Sequence, residues 1–233
     1  MPARLSRKEK QAQTRSSLMR SAARIFCRHG LERTSIEEVA EDAGYTKGAF
    51  YANFRSKQEL FLAMLDERFT ERIEEVDRAF AEEGSPPEQA RQAAADFARA
   101  FRADPGAERL FLEFASYALR DEDFREELLT RFATLRERLE RVYQRRTDEY
   151  GLELDIPMER IVRMVIAMAD GWALWQLLDP EGVDEELLET MIELFTIGVG
   201  VRGGALELGD GPAPASPRPA SPPQARSPVR TRS

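Results

Sequence analysis

The chain has 233 residues, 42% of them hydrophobic, with a formal net charge of −8. This composition is typical of a soluble globular protein, and the length allows one large domain or two small ones. Cys27 is the only cysteine, which excludes an internal disulfide framework and predicts a cytoplasmic location. The longest apolar run, residues 161–178, is interrupted by Arg163 and Asp170, so we expect no membrane span.

The negative net charge conceals a basic N-terminal part. Residues 1–66 carry 12 Lys/Arg against 8 Asp/Glu, residues 67–200 carry 17 against 32, and residues 201–233 carry 5 against 2. This polarity would direct the N-terminal part toward a polyanion such as DNA and repel DNA from the acidic body. The acidic body could also serve solubility alone, and the charge pattern leaves both readings open.

The N-terminal residues predict a basic arm followed by a helix. Residues 1–12 are basic and lack an apolar pattern, which favours a flexible arm. Apolar residues then recur at helical spacing from Gln13 to Arg28. Gly30 is placed to end this helix as its C-cap.

The next segment has the pattern of two short helices joined by a tight turn. A capping box, either Thr34 with Glu37 or Ser35 with Glu38, begins the first of these helices. Gly44 follows, where a chain leaving a helix adopts a left-handed conformation. Such a pair is a helix-turn-helix, whose second helix enters the major groove of DNA.

The same residues resemble the TetR/AcrR family of transcriptional regulators. The similarity extends from about Gln13 to Leu65 and includes TSIEEVAEDAG followed by TKGAFYANFRSKQELF. It implies an N-terminal DNA-binding domain, a helical C-terminal domain that binds an effector, and a homodimer. Tyr45 departs from the family pattern, since many members carry a small aliphatic residue there.

The predicted DNA contacts lie around the second helix. Lys47 and Lys57 begin helices, where an ammonium group and free backbone N–H groups can both hold phosphate. Gly48 and Ala49 are small enough to let the helix approach base edges, and the resemblance gives Tyr51 a phosphate contact. The complete predicted set is Thr34, Ser35, Tyr45, Thr46, Lys47, Gly48, Ala49, Tyr51 and Lys57.

Six further helices are predicted by apolar periodicity and by Gly and Pro breaks, which makes the fold all-α with about nine helices. Capping boxes at Ser56 and Ser85 begin two of them. The predicted domains are the arm at 1–12, the helix-turn-helix domain at 13–66, an effector-binding and dimerisation domain at 67–202, and a disordered Pro/Ala/Arg-rich tail at 203–233.

Aromatic and methionine side chains on the fifth to eighth helices mark the effector pocket that the resemblance implies. The predicted pocket residues are Phe97, Phe101, Phe111, Phe114, Tyr117, Met164, Met168 and Trp172. Glu113 would face either a cationic effector or solvent, and we favour solvent. An apolar pocket of this kind would accept an apolar ligand, with or without a positive charge.

The last two predicted helices are apolar nearly all round, so each must be covered on every side. A partner subunit would cover one face, in the four-helix bundle that the resemblance implies. The predicted interface residues are Trp175, Leu188, Met191, Ile192 and Phe195. Twofold symmetry then predicts a palindromic operator with half-sites about 34–36 Å apart.

These features favour a ligand-responsive DNA-binding transcriptional regulator, a repressor that a small-molecule effector releases from its operator. The alternative from another class is a helical dimeric ligand-binding or scaffold protein without an operator. The chain has no His/Cys cluster with zinc spacing and no Gly-rich phosphate loop. We therefore expect no enzyme, no metal site and no cofactor.

Overall fold

A computed structural model describes residues 6–203 of the chain, and these residues form nine α-helices and no strand. The predicted all-α class is confirmed. The helices in chain order are α1 (Arg7–Arg33), α2 (Ile36–Asp42), α3 (Lys47–Tyr51), α4 (Lys57–Ala81), α5 (Pro86–Ala103), α6 (Pro105–Ala118), α7 (Glu122–Glu149), α8 (Met158–Leu178) and α9 (Glu185–Arg202). Residues 1–5 of the predicted arm and 204–233 of the predicted tail lie outside the described part.

Helix α1 begins earlier than the apolar pattern predicts. The Ser6 hydroxyl accepts a hydrogen bond from the Glu9 N–H at 3.2 Å, and the Glu9 carboxylate accepts one from the Ser6 N–H at 2.7 Å. This capping box satisfies two backbone donors that the helix leaves free. The prediction of a flexible arm is therefore wrong for residues 7–12, which are helical.

Gly30 breaks the backbone within α1. Its φ of 77° and ψ of 169° lie in a region that residues with a Cβ rarely adopt, so the predicted glycine break is confirmed. The Thr34 hydroxyl donates to the Gly30 carbonyl at 2.8 Å and holds the chain beyond the break. Residues 31–33 consequently turn away from the main axis of α1 and lead into α2.

Phe114 of α6 packs against α1 and α4 and is fully buried. Its ring stacks on Phe61 of α4 with 3.4 Å between centroids, and it meets Phe26 of α1 edge-on at 5.8 Å. The apolar core of α1–α4 is thereby continuous with residues of α6 and α7. Helix α4 runs unbroken through residue 66, the predicted domain boundary, which itself stays a prediction.

The remaining helices enclose two further apolar cores. One lies between α5, α8 and α9 around Phe101, Trp172 and Leu188. The other lies between α4, α7 and α8 around Val76 and Val162. Both cores border a cavity described below.

Helix α8 is exposed along one apolar side. Within residues 6–203 it is the one helix long and apolar enough, by length and composition, to cross a membrane. A single helix of this kind is weak evidence for a membrane protein, because a core helix of a soluble protein has the same properties. The side that faces α5 and α7 is buried, and the opposite side leaves Trp175 57% exposed.

We expect Gly30→Ala to lower the free energy of unfolding by about 2–3 kcal/mol. The backbone conformation is costly for alanine, by about 1–3 kcal/mol. The new Cβ would also lie 2.7 Å from the Glu113 Oε1 atom and displace that carboxylate. In a Glu113→Ala background the second cost disappears, so the substitution should cost about 1 kcal/mol less. Urea unfolding of the four proteins measures this difference, and equal costs in both backgrounds would contradict the assigned contact.

Candidate nucleic-acid interface and effector cavity

The helix-turn-helix is formed by local hydrogen bonds. Ser35, rather than Thr34, caps α2 by accepting from the Glu38 N–H at 3.0 Å. Gly44 then turns the chain with a φ of 77°. Thr46 accepts from the Ala49 N–H at 3.2 Å and begins α3 at Lys47. The predicted capping residues and the glycine turn are confirmed.

One face of α3 is exposed and the other is buried. Thr46, Lys47 and Gly48 are exposed, and Tyr51 keeps 50% of its surface accessible. Phe50 is fully buried and meets the Tyr51 ring edge-on at 5.7 Å. The buried phenylalanine therefore orients the helix so that its small and polar residues point outward. The partly buried Tyr45 and Ala49 lie at the edge of this surface.

Lys47 has an acidic neighbour on α2. Its ammonium forms an ion pair with the Glu37 carboxylate and lies 5.9 Å from the centre of the Tyr51 ring. The hydrogen bond with Glu37 raises the pKa of Lys47 and lowers the pKa of Glu37. Both side chains are about half exposed, so a phosphate group can compete with the carboxylate for the ammonium.

Two predicted DNA contacts are corrected by the structure. The Thr34 side chain is buried and donates its hydroxyl proton to the Gly30 carbonyl. The Lys57 ammonium donates to the Leu31 and Thr34 carbonyls, each at 2.6 Å, and partial burial lowers its pKa. Both residues hold the link between α1 and α2, because the carbonyls there have no helical partner.

Glu113 of α6 contacts the same link from the other side. Its carboxylate accepts a hydrogen bond from the Leu31 N–H, and it lies against the Gly30 backbone. The expectation that Glu113 faces solvent is therefore wrong. Because the partner is a backbone amide that any residue could supply, no side-chain pattern indicates it. The backbone of Leu31 is held on both sides, because its N–H donates to Glu113 and its carbonyl accepts from Lys57.

A cavity of about 120 Å³ lies among α4–α9. Of the predicted pocket residues, Phe97 and Phe111 line it. Phe101, Phe114 and Trp172 are buried in the cores, and the Tyr117 hydroxyl donates to Asp121 at 2.7 Å. Met164 and Met168 face the outer groove of α8 and α9. These six residues do not line this cavity, because an aromatic or methionine residue at helical spacing packs in a core as readily as it lines a pocket. Their assignment to an effector pocket stays a prediction.

The cavity also contains four charged side chains that the sequence prediction missed. They are Arg68, Arg72, Glu108 and Asp170. Arg68 lies 3.6 Å from the Glu108 carboxylate, while Arg72 bonds to Glu75 at 2.8 Å and stacks over the Phe97 ring at 4.1 Å. The sequence does contain an indication of the two arginines, because Arg68 and Arg72 follow Leu65 at helical intervals and so share the buried face of α4.

Burial shifts the titration of these groups. Desolvation, together with the nearby Glu108, raises the pKa of Asp170 to about 7, although Arg72 opposes the shift. Desolvation likewise raises the pKa of Glu108 and lowers the pKa of Arg72 to about 10. Asp170 keeps contact with solvent at the edge of α8, so the cost of its ionisation is smaller than in a closed core.

The exposed side of α8 and α9 forms an open apolar groove. The predicted interface residues Trp175, Met191 and Phe195 line it, together with Met164, Leu187 and other apolar groups. Leu188 and Ile192 are instead buried against α5, so their assignment to the interface is wrong. Both faces of α9 are apolar, and the sequence does not distinguish the face that meets α5 from the exposed one.

Comparison with known families identifies this architecture. The model of "Bacterial regulatory proteins, tetR family" matches residues 18–64, and the model "BetI-type transcriptional repressor, C-terminal" matches residues 88–196. The chain belongs to the TetR family of bacterial transcriptional regulators.

Two relatives illustrate how the similarity is distributed. The regulator TtgR of Pseudomonas putida is 42% identical over 59 residues, which is 25% of this chain and 28% of TtgR. The uncharacterised regulator YfiR of Bacillus subtilis is 26% identical over 166 residues, or 70% of this chain and 80% of YfiR. The higher identity is thus confined to a short segment, while the longer match is weaker.

Solved structures share the fold at low identity. The fatty acid degradation regulator FadR from Bacillus halodurans superposes with a TM-score of 0.67 at 14% identity, covering 80% of this chain and 96% of FadR. FadR from Bacillus subtilis, in complex with stearoyl-CoA, gives a TM-score of 0.64 at 14% identity, covering 79% and 98%. At this identity the likeness establishes the fold.

We expect Asp170→Asn to stabilise the protein by an amount that grows with pH. The carboxyl ionises near pH 4 in the unfolded chain and near pH 7 in the folded one. Ionisation therefore opposes folding, and stability is lost as pH rises through this window. Because Asp170 retains solvent contact, the gain should reach only about 1–2 kcal/mol above pH 7.

Urea unfolding between pH 4 and pH 8 tests this expectation. Glu126→Gln, at an exposed site on α7, is the matched control and should give a small difference that does not depend on pH in this way. A pH-independent effect of Asp170→Asn would show that this carboxyl titrates normally.

Proposed function

We propose that the protein is a DNA-binding transcriptional repressor of the cytoplasm that a small-molecule effector releases from a palindromic operator. The observation that carries the proposal is the position of α6. This helix lines the cavity with Glu108 and Phe111, and it contacts the DNA-binding domain through Glu113 and Phe114. One helix thus joins the cavity to the helix-turn-helix.

The exposed face of α3 is the proposed DNA-reading surface. Gly48 and Ala49 leave room for base edges, while Lys47 and Tyr51 would contact phosphates on either side. Binding would transfer the Lys47 ammonium from Glu37 to a phosphate. Because this ion pair must break, Glu37 lowers the affinity for any DNA. Only an α3 helix seated closely enough for Lys47 to reach a phosphate offsets that cost.

The apolar groove of α8 and α9 is the proposed dimer interface. Exposed apolar surface on two neighbouring helices is a common feature of interaction surfaces. A second copy of the chain would cover Trp175 and Phe195 with its own α8 and α9, and the two α3 helices would then meet half-sites about 34–36 Å apart. This arrangement also accounts for the apolar side of α8 without a membrane.

Release by an effector would proceed through α6. A ligand that enlarges the cavity would press on Phe111 and Glu108, and a shift of α6 would move Glu113 and with it the Leu31 peptide group. The two recognition helices would then no longer match both half-sites. Because linkage is reciprocal, DNA must lower effector affinity by the same factor, typically about 5–150-fold.

Ligand binding by a structural neighbour supports an effector. FadR from Bacillus subtilis shares the fold and has been solved with stearoyl-CoA. A scaffold protein without an operator would also fit a helical dimer, but it would give no role to the exposed Lys47–Tyr51 surface. We propose no catalytic activity.

Titration of the purified protein against its own upstream DNA, over a series of salt concentrations, tests the proposal. Specific binding should appear at one palindrome and weaken steeply with salt. A compound screen read by both thermal stability and DNA affinity should then find an effector. Absence of specific DNA binding would contradict the whole proposal, and a screen without an effector would leave a constitutive DNA-binding protein.

We expect Lys47→Ala to weaken operator binding and to reduce the slope of log K against log salt by about one, as for the loss of one phosphate contact. Glu37→Gln should strengthen binding, since it removes the competing carboxylate. Fluorescence anisotropy with labelled operator measures both.

Lys57→Ala provides the contrast. Its ammonium is bonded to two carbonyls, so this variant should lose about 1–2 kcal/mol of stability and keep the salt slope. An unchanged salt slope in Lys47→Ala would contradict the phosphate contact assigned to Lys47. A reduced salt slope in Lys57→Ala would show that Lys57 contacts phosphate after all.

We expect Trp175→Glu and Phe195→Glu to dissociate the dimer. Each would place an unpaired charge in the interface, at a cost of several kcal/mol. Leu129→Glu is the control, because Leu129 on α7 is 59% exposed, as Trp175 is 57% exposed, but lies away from the groove. Sedimentation velocity should show monomers for the first two variants and dimers for the third. Dimers in all three would place the interface elsewhere.

A further inference from the structure

A second cavity adjoins the first. It has a volume of about 240 Å³ and lies among α4, α5, α7, α8 and α9, nearer the C-terminal end of α4. Four residues line both cavities and form the neck between them: Ala90, Tyr143, Val165 and Ile192. The two spaces are therefore neighbours that share part of their walls.

The two cavities lie next to each other along the same helices. Their combined lining extends along α4 from Leu65 to Phe80, and along α8 from Asp170 to Met158. At 1.5 Å per residue these stretches are about 22 Å and about 18 Å long. The cavity walls are mainly apolar beyond the charged end, so the shape suits a long hydrocarbon chain better than a compact ring system.

The charged side chains of the first cavity do not all have a partner of opposite charge. Arg72 is bonded to Glu75, and Arg68 is paired with Glu108. Asp170 makes no hydrogen bond or ion pair with any residue in the range 6–203. With Glu75 included, these five side chains carry two positive and three negative charges when ionised. The group without a partner is thus the Asp170 carboxylate, which is exposed at the edge of the cavity, where a cationic group can pair with it.

We propose that the cavity pair binds an elongated cationic amphiphile, with its positive head group at Asp170 and its hydrocarbon chain passing Tyr143 and Val165 into the second cavity. The inference rests on the proposed function insofar as this ligand is the effector. An anionic amphiphile is disfavoured, since the three arginines that line the cavities, Arg68, Arg72 and Arg146, already have carboxylate partners.

Calorimetric titration of the full-length protein without DNA tests the ligand class. The probes are octylamine, dodecylamine, dodecanol and dodecanoate, each below the concentration at which it aggregates. Dodecylamine should bind most tightly. Asp170→Asn should weaken dodecylamine binding by about 10–100-fold, the range for a charge-assisted hydrogen bond, and should leave dodecanol unaffected. Glu126→Gln, far from the cavity, should leave all four ligands unaffected.

A neck variant tests the path of the chain. Val165→Phe should close the passage, so octylamine should bind as in the wild type while the tighter binding of dodecylamine should be lost. If Val165→Phe fails to fold, Val165→Leu serves as the smaller obstruction. Thermal unfolding of each variant establishes that it is folded before titration.

Several results would overturn the inference. If dodecanoate or dodecanol bound as tightly as dodecylamine, the positive head group would not contribute to binding. An unchanged affinity of Asp170→Asn for dodecylamine would lead to the same conclusion. Equal affinity for octylamine and dodecylamine would show that the hydrocarbon chain does not enter the second cavity. DNA release is measured separately: dodecylamine binding without any effect on the protein–DNA complex would contradict the proposed function and leave this inference intact.

Discussion

The packing of Phe114 determines how the two parts of the molecule are joined. Its ring fills the space between α1, α4 and α7, where it meets Phe26, Phe61 and Phe124. Removing a buried phenylalanine ring costs about 3–5 kcal/mol, a large share of the 5–15 kcal/mol that stabilises a typical domain. Helices α1–α4 therefore depend on α6 to complete their core, and no linker separates the two parts of the molecule at this contact.

The cavity places charged groups where a core would normally be apolar. Burying Arg72 carries a desolvation cost, which lowers its pKa. A protein selected for stability alone would replace such a group with apolar residues of similar volume. Ionisable groups with shifted pKa values beside unfilled space are a common feature of functional sites.

The fold could be predicted largely from local signals, whereas the sites could not. Capping residues such as Thr46 and Ser56, and the glycine at 44, act within a few residues of the chain, so their patterns carry over directly into structure. The start of α1 was not predicted, although it is also set by a local signal, the capping box of Ser6 and Glu9.

The residues of the cavity and of the exposed groove could not be predicted in this way, because they depend on which neighbour each helix face meets. Phe114 and Phe97 look alike in sequence, yet one completes a core and the other lines a cavity. Glu113 and Lys57 bond to backbone groups of Leu31 and Thr34, which leave no trace in side-chain patterns. The predicted Trp175, Met191 and Phe195 surface followed from the apolar excess of α8 and α9, a property that does not need the tertiary structure.

If the open groove of α8 and α9 is a dimer interface, folding and association are parts of one equilibrium. A second copy would cover Trp175 and Leu187, which are exposed in the single chain, and dilution would expose them again. The melting temperature would then depend on protein concentration. Because burial of apolar surface weakens on cooling, such an assembly would also loosen in the cold before its helices melt.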